Sequence, residues 1–308
     1  RPLWRDFFLH YYRNLLHYAH IYISSMIIDG RAIAKQLRKR TAKKVAELTA
    51  KGIHPKLAVI LVGDDKPSAL YVKKKGQAAE KIGILFELHK YPSTISQAEL
   101  EKEIQHIQTH NNVTGLIIQL PVPKNFYPSI LEAIDPRYDV DCLTHTNLGK
   151  LVMKTCAILP PTPGAVKTII KELSIDLQGK KVAVIGAGVL VGKPLSIILT
   201  NKGATVNICN EFTPDIKKYT LDADIIVSGV GKRHVITEDM VSPGTIVIDA
   251  GVNFENNQMF GDVDFEAVSK KASHITPTPG GIGPITVARL LHNTAICAEL
   301  LHNNKNTA

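Results

Sequence analysis

The chain has 308 residues, 44% of them hydrophobic and 21% charged, with 37 basic against 28 acidic side chains and a formal net charge of +9. That length suits one large α/β domain or two smaller ones. The charge favours anionic ligands, but no long Lys/Arg tract or aromatic-interleaved basic patch supports a nucleic-acid partner.

Residues 1–25 differ in composition from the rest of the chain. They hold the single tryptophan, Trp4, six Tyr and Phe residues and three arginines, and are poor in acids. We read them as an extension or leader outside the fold. A mitochondrial presequence would suit the arginines but not the scarcity of serines, and the segment is too polar to span a membrane. The expected address is the cytoplasm, or the mitochondrial matrix if residues 1–25 are a presequence, with no membrane association.

From Met26 the pattern alternates. A helix over about 31–51 precedes the apolar strand KLAVILVG (56–63), and a helix carrying Tyr71 and Lys75 comes next. A strand near 84–89, a helix near 97–109 and the strand TGLIIQLPVP (114–123), stopped by its prolines, complete this half. Short β-branched runs between amphipathic helices predict βαβ units and a mostly parallel sheet. Within SALYVKKKG (68–76), a helical rotation of about 100° per residue puts Tyr71, Lys75, Ala78 and Ile82 on one stripe. Lys73 points the opposite way with Glu80, and Lys74 falls on the flank near Lys81. Periodicity leaves two readings of Lys75 open: a stem lying along a core edge, or a desolvated acid/base.

The second half repeats the alternation with strands at 180–188, 204–210, 223–231 and 245–253. Two near-copies of one phrase, Pro161-Thr162-Pro163-Gly164 and Pro277-Thr278-Pro279-Gly280, bracket this block and read as rigid domain crossings. A last helix, about 284–302, is expected to return to the first domain. The resulting fold class is α/β with two domains. Residues 26–160, completed by 284–308, form a catalytic domain, and 161–283 form a Rossmann-like dinucleotide-binding domain with a parallel sheet. VIGAGVLVGKPL puts Gly186, Gly188 and Gly192 at a strand-to-helix turn, where the backbone can approach a pyrophosphate. Glu211, 19 positions beyond Gly192, suits a ribose 2′-hydroxyl and repels a 2′-phosphate. A tight turn without a ligand is the alternative.

The four cysteines (Cys142, Cys156, Cys209, Cys297) form no Cys-x-x-Cys pair and have no histidines at zinc spacing. Buried thiols in a reducing compartment, and no metal site, are expected.

Several motifs then coincide in order. Ser68-x-x-Tyr71-x-x-x-Lys75, QLPVP from Gln119, DVDCLTHTNLGKL from Asp139, VIDAGVN, GDVDF (261–265) and TPTPGGIGPIT (276–286) stand in sequence. From Met26 to about Asn303 the chain resembles the bifunctional methylenetetrahydrofolate dehydrogenase/methenyltetrahydrofolate cyclohydrolase family. The resemblance implies oxidation of 5,10-methylenetetrahydrofolate with NAD or NADP and hydrolysis of the methenyl product to 10-formyltetrahydrofolate, within one-carbon metabolism and purine biosynthesis. Lys75 would be the general acid/base, Tyr71 would pack on the folate, Gln119 would hold Lys75, and Asp141 would bind the pterin. Ser68, Leu120, Pro121, Pro279, Gly280 and Gly281 are the further folate contacts it implies. Dinucleotide contacts would come from Gly186, Ala187, Gly188, Val191, Gly192, Lys193, Pro194 and Glu211 in the first stretch. Gly229, Gly231, Gly251, Asn253, Gly283 and Thr286 complete that set. A homodimer is also implied, and the positive charge fits polyglutamylated folates.

Departures from the family gather in the cofactor half. Its usual Gly-Arg-Ser is Gly186-Ala187-Gly188 here, and its Cys-His-Ser is Cys209-Asn210-Glu211. Loss of the arginine beside a new acid weakens recognition of a 2′-phosphate, so NAD is preferred, with Lys193 and Lys232 as compensating cations. Cys142 replaces a glycine, and Gln77 stands where a second lysine is common. A monofunctional cyclohydrolase with a decayed nucleotide site, or a non-catalytic folate- or nucleotide-binding regulator, are the alternatives.

Overall fold

A computed structural model of the chain describes residues 26–255 and 258–305, so the expected leader at 1–25 lies outside the described residues. Strand β1 (Met26–Ile27) leads into α1 (Gly30–Thr49), β2 (Lys56–Val62), α2 (Lys66–Glu80), β3 (Leu85–Tyr91), α3 (Gln97–His110) and β4 (Gly115–Gln119). These strands, β1 apart, form a parallel sheet of order β3-β2-β4. The central strand β2 is buried from Leu57 to Val62, as a strand covered on both faces must be. Helix starts obey local chemistry. The Asp29 carboxylate accepts from the amides of Arg31 and Ala32 at 2.9 and 3.0 Å, and Ser96 with Glu99 forms a reciprocal capping box on α3.

After β4 the chain makes a 3-10 turn (Ser129–Ala133) and a short helix, α4 (His145–Val152). The second unit then runs α5 (Pro161–Glu172), β5 (Lys181–Ile185), α6 (Gly192–Thr200), β6 (Thr205–Cys209), α7 (Lys217–Thr220), β7 (Ile225–Ser228) and β8 (Ile246–Asp249). A hairpin of β9 (Asn253–Glu255) and β10 (Gln258–Phe260), then α8 (Phe265–Val268), β11 (His274–Ile275) and α9 (Ile282–Lys305) complete it. The sheet order is β1-β11-β8-β7-β5-β6, all parallel. Among the described residues no helix is long and apolar enough to cross a membrane.

Three expectations change. The strands are shorter than read, because Gly186 to Gly188, Asn210, Gly229 to Gly231 and Gly251 lie beyond the ladder in loops at the sheet's carboxyl edge. Pro161-Thr162-Pro163-Gly164, read as a rigid crossing, is helical: it forms the first turn of α5, where Pro161 has the fixed φ and missing N–H that a helix start tolerates. Finally, β1 pairs with β11: the Met26 amide bonds Ser273 O and the Ile28 amide bonds Ile275 O, both at 2.8 Å. Residues 26–28 therefore extend the second sheet, not the first.

Two helices serve both units. The first half of α1 (Ala34, Leu37) and the start of α9 (Ile282, Ile285, Ala288) pack into the core of the second sheet with Val166, Val182 and Leu195. Their later turns (Val45 and Leu48; Leu290, Leu291, Ala295 and Ala298) pack into the core around β2 with Leu57, Val59 and Val72. Helix α9 was expected to rejoin the first domain; it also carries the second, and so fixes the two sheets' carboxyl edges across one cleft.

Candidate active site

Lys75 owes its position to the packing of α2. The Asp65 carboxylate caps this helix by accepting from the Ser68 amide at 2.9 Å. Its buried face is Ser68, Val72, Gly76 and Ala79. Gly76 lets the Phe86 ring approach so closely that a β-carbon would lie 2.8 Å from it. The Tyr71/Lys75/Ala78/Ile82 stripe is therefore not the core face but its half-buried neighbour, while Lys73 and Lys74 are exposed. The Lys75 ammonium donates to Gln119 Oε1 at 2.9 Å. Gln119 in turn donates its Nε2 to Leu120 O at 2.8 Å, which fixes its amide with the oxygen towards the lysine. Ser68 Oγ donates to the same Leu120 O at 3.2 Å and ties α2 to the end of β4.

Burial pulls the Lys75 pKa below the usual lysine value, and the neighbouring Asp141 carboxylate opposes that fall. Asp141 itself is pushed up to about 6, chiefly by burial, with Lys75 holding it down and Asp139 adding repulsion. Burial thus shifts both groups towards their neutral forms. That suits a base that must be uncharged near neutral pH.

The Asp141 loop is held from two sides. Asp139 Oδ2 accepts from the amides of Leu143 and Thr144, from Thr144 Oγ1 and from Asn147 Nδ2, all between 2.8 and 3.0 Å. Leaving such a carboxylate unpaired would cost on the order of several kcal/mol; four donors remove that cost. From α9, Asn293 Nδ2 donates to Val140 O at 2.9 Å and to Leu159 O at 2.7 Å. Neither Asp139 nor Asn293 was singled out from the sequence. A second aspartate two residues before Asp141 was the available signal for the first, whereas Asn293 offered none.

Lys75, Gln119, Leu120 and Asp141 line a cleft of about 250 Å³ between the two units. Across from them stand Pro160, Pro161 and Thr162 at the start of α5, Leu190 from the glycine turn, and Thr286 from α9. Thr286, expected beside the dinucleotide, faces Thr162 with hydroxyl oxygens 3.4 Å apart. Tyr71 packs edge-on to Phe254 of the β9–β10 hairpin, ring centroids 6.3 Å apart, so the hairpin reaches over to α2. Pro279, Gly280 and Gly281 do not line this cleft. Gly280 and Gly281 lie against α1, where a β-carbon on Gly30 would come 1.8 Å from Gly281 O and one on Gly280 would meet the Arg31 guanidinium. Leu190, Thr162 and Phe254 were missed, because each belongs to an element whose partner is distant in sequence.

The glycine turn has the shape a dinucleotide needs. Gly186 adopts φ 103°, and a β-carbon on Gly192 would lie 1.8 Å from Gly186 O. A β-carbon on Gly188 would meet no atom within 4 Å, so backbone is open to a ligand there. The Gly186 amide donates to Cys209 O at 2.8 Å, which brings exposed Glu211 beside the turn at the end of β6. Val191 precedes the first turn of α6, Lys193 is exposed and Pro194 is buried in that turn. Gly229 lies against the turn, near Gly186 and Val191, while Gly231 and Gly251 adjoin buried Asp262, which accepts from Ser228 Oγ and the amides of Val230, Gly231 and Lys232 at 2.6–3.0 Å. Asp249 accepts from the Gly251, Asp262 and Val263 amides, and burial pushes it up to about 6. Asn253 opens the hairpin, accepting the Phe254 amide, and Gly283 lies exposed in the first turn of α9.

The tetrahydrofolate dehydrogenase/cyclohydrolase catalytic-domain model matches residues 28–141, and the NAD(P)-binding-domain model of the same family matches residues 160–302. The bifunctional protein FolD of Nautilia profundicola is 49% identical over 275 residues, covering 89% of this chain and 97% of that protein. The protein of the same name from Methanosarcina barkeri is 44% identical over 277 residues, covering 89% and 96%. Among solved structures, the bifunctional FolD methylenetetrahydrofolate dehydrogenase/cyclohydrolase of Campylobacter jejuni superposes with a TM-score of 0.87 at 41% identity, over 90% of this chain and 99% of that one. A Trypanosoma brucei FolD, solved with NADP and an inhibitor, gives 0.86 at 33% identity, over 90% and 98%. With both domain models matched in order and relatives this similar along most of its length, the chain belongs to the tetrahydrofolate dehydrogenase/cyclohydrolase family.

Proposed function

We propose that the chain oxidises 5,10-methylenetetrahydrofolate to the methenyl form with a nicotinamide dinucleotide and hydrolyses that product to 10-formyltetrahydrofolate in the same cleft. The observation that carries this reading is Lys75, desolvated, held by Gln119 and facing Asp141 across from the glycine turn. Tyr71 and Leu120 bound the folate ring, Asp141 takes its polar edge, and Thr162 and Thr286 close the opposite wall. The dinucleotide, when bound, supplies the hydride acceptor for the first step. This chain's part in that step is orientation: Gly186, Gly188 and the first turn of α6 hold the pyrophosphate, and Glu211 takes the ribose. In the second step neutral Lys75 accepts a proton from water as its oxygen bonds to the methenyl carbon. The same lysine returns the proton to the ring nitrogen as the carbon–nitrogen bond breaks, and the adduct's hydroxyl releases its own proton to solvent as the formyl C=O forms. Gln119 keeps the lysine aimed, and Asp141 sets the pH at which it is neutral.

NAD is the preferred dinucleotide, because Glu211 stands exposed at the end of β6 and Ala187 offers no cation to a 2′-phosphate. The same two residues favour a second reading, a monofunctional cyclohydrolase whose nucleotide site has decayed. A homodimer is supported by β3, an edge strand of the first sheet that exposes Leu85 (53%) and Leu88 (37%). The cytoplasm is the proposed address, with the mitochondrial matrix as the alternative if residues 1–25 direct it; fractionation of cells making the full chain separates the two. Polyglutamylated folates are the proposed substrate form, checked by whether KM falls as the tail lengthens.

Lys75→Met is expected to lower methenyl hydrolysis by about 10²–10⁴-fold, the worth of a positioned acid/base, whereas Lys73→Met leaves it nearly intact. Equal losses would refute the assignment. In Asp141→Asn the charge that raises the Lys75 pKa is gone, so the limb on which hydrolysis rises with pH moves to lower pH; an unmoved limb contradicts the pairing. Oxidation followed by absorbance is expected to favour NAD over NADP in kcat/KM. Glu211→Ser should narrow that preference by about tenfold, one charged hydrogen bond's worth. A native preference for NADP rejects the role of Glu211, and no turnover with either dinucleotide supports the monofunctional reading. Sedimentation equilibrium should give twice the chain mass, and Leu85→Asp with Leu88→Asp should give monomers; a monomeric native protein excludes the dimer.

A further inference from the structure

Cys142 and Cys156 take no part in the reaction described, yet they meet beside it. Cys142 comes directly after Asp141, is fully buried and adopts φ 56°, in the left-handed region where a side chain is tolerated only if its surroundings hold it. Cys156 lies beyond the end of α4, between exposed Thr155 and Ala157, and is itself partly open to solvent. Buried thiols were expected throughout; Cys142, Cys209 and Cys297 are buried, and Cys156 is not. The two sulfurs are 3.4 Å apart, so a disulfide bond of about 2.05 Å needs them to approach by only about 1.4 Å.

We propose that Cys142 and Cys156 form a thiol–disulfide modification site, with Cys156 the attacking sulfur, Cys142 the resolving one, and a small-molecule disulfide as the oxidant. The Cys156 thiolate attacks one sulfur of the oxidant RSSR. Its S–S bond breaks, a mixed disulfide forms and one RS⁻ leaves. Cys142 then gives up its proton, its sulfur bonds to Cys156 Sγ, and the second RS⁻ leaves. Two protein thiols lose two electrons and two protons, and the oxidant is reduced to two RSH. The order is set by access, since only Cys156 reaches solvent. The contact itself works the same way: the hydrogen bond between the two sulfurs lowers the Cys156 pKa and raises that of Cys142.

The site is coupled to the cleft through one peptide unit. Downstream of Cys142 the chain is pinned, because Asp139 Oδ2 holds the amides of Leu143 and Thr144. Upstream, Asn293 holds Val140 O, so Asp141 and Cys142 lie between two fixed points, and drawing the Cys142 sulfur towards Cys156 is shared with Asp141, which moves that carboxylate relative to Lys75. This effect on turnover rests on the function proposed above; the disulfide itself does not.

The test treats the full chain with glutathione disulfide, then quenches with iodoacetamide for intact mass and peptide mapping, with cyclohydrolase turnover read in parallel. The expected result is loss of two hydrogens, a cross-linked peptide joining Cys142 to Cys156, and a loss of turnover that dithiothreitol restores. Cys156→Ser and Cys142→Gly should keep reduced-state turnover and be insensitive to the oxidant. Unchanged mass, a glutathione adduct that never resolves, or a cross-link to Cys297 or Cys209 overturns the site. A Cys142–Cys156 cross-link with turnover unchanged overturns its coupling to Asp141. If the reduced protein hydrolyses no methenyl substrate, the proposed function fails while the cross-link map still decides the site.

Discussion

A lysine must be stripped of enough water to lose its proton near neutral pH, without losing the partners that keep it folded inwards. That constraint organises the first half of the molecule. Gln119 meets it by accepting from Lys75 without a charge of its own, so it orients the amine at little electrostatic cost. Asp141 supplies a charge, but one weakened by burial and by Asp139. A fully ionised carboxylate in hydrogen-bond contact would have held the lysine protonated; an apolar wall would have left the amine unpartnered.

The geometry of that trio is set by elements that do not touch it. Asp139 gathers four donors and folds the loop so that Asp141, two residues later, faces the cleft. Asn293 fastens the same loop from α9, a helix whose first turns belong to the other sheet's core. Movement of one unit against the other would therefore carry Asp141 with it, because α1 and α9 are each shared by both cores. The cleft is a product of that sharing, not of a flexible linker.

On the dinucleotide side the organising device is a pair of buried carboxylates. A β-carbon on Gly251 would lie 1.9 Å from an Asp262 oxygen, and one on Gly261 would lie 1.8 Å from an Asp249 oxygen. Each aspartate occupies the space that the glycine beside the other leaves open, and each takes up several backbone amides. The loops after β7 and β8 are thereby fastened to each other at the sheet's carboxyl edge, where ligands of open α/β sheets bind.

The sequence by itself determined the alternation of strands and helices, the glycine turn before α6, and the likeness to a folate family across most of the chain. Those features are local: hydrophobic period, cap residues and short motifs are written in neighbouring positions. It also separated Lys75 from Lys73, since a helical stripe needs only spacing. Tertiary structure decided what spacing cannot reach. It showed that the Tyr71 stripe borders the core instead of facing it, because Gly76 and not Lys75 meets Phe86. It moved β1 into the second sheet, made Pro161 a helix start, and set Thr286 beside Thr162 on the cleft wall facing Lys75. It drew Gly280 and Gly281 against α1, and it brought Cys142 within 3.4 Å of Cys156. Each of these is a contact between segments far apart in the chain, and its energy comes from packing that exists only once both sheets have formed.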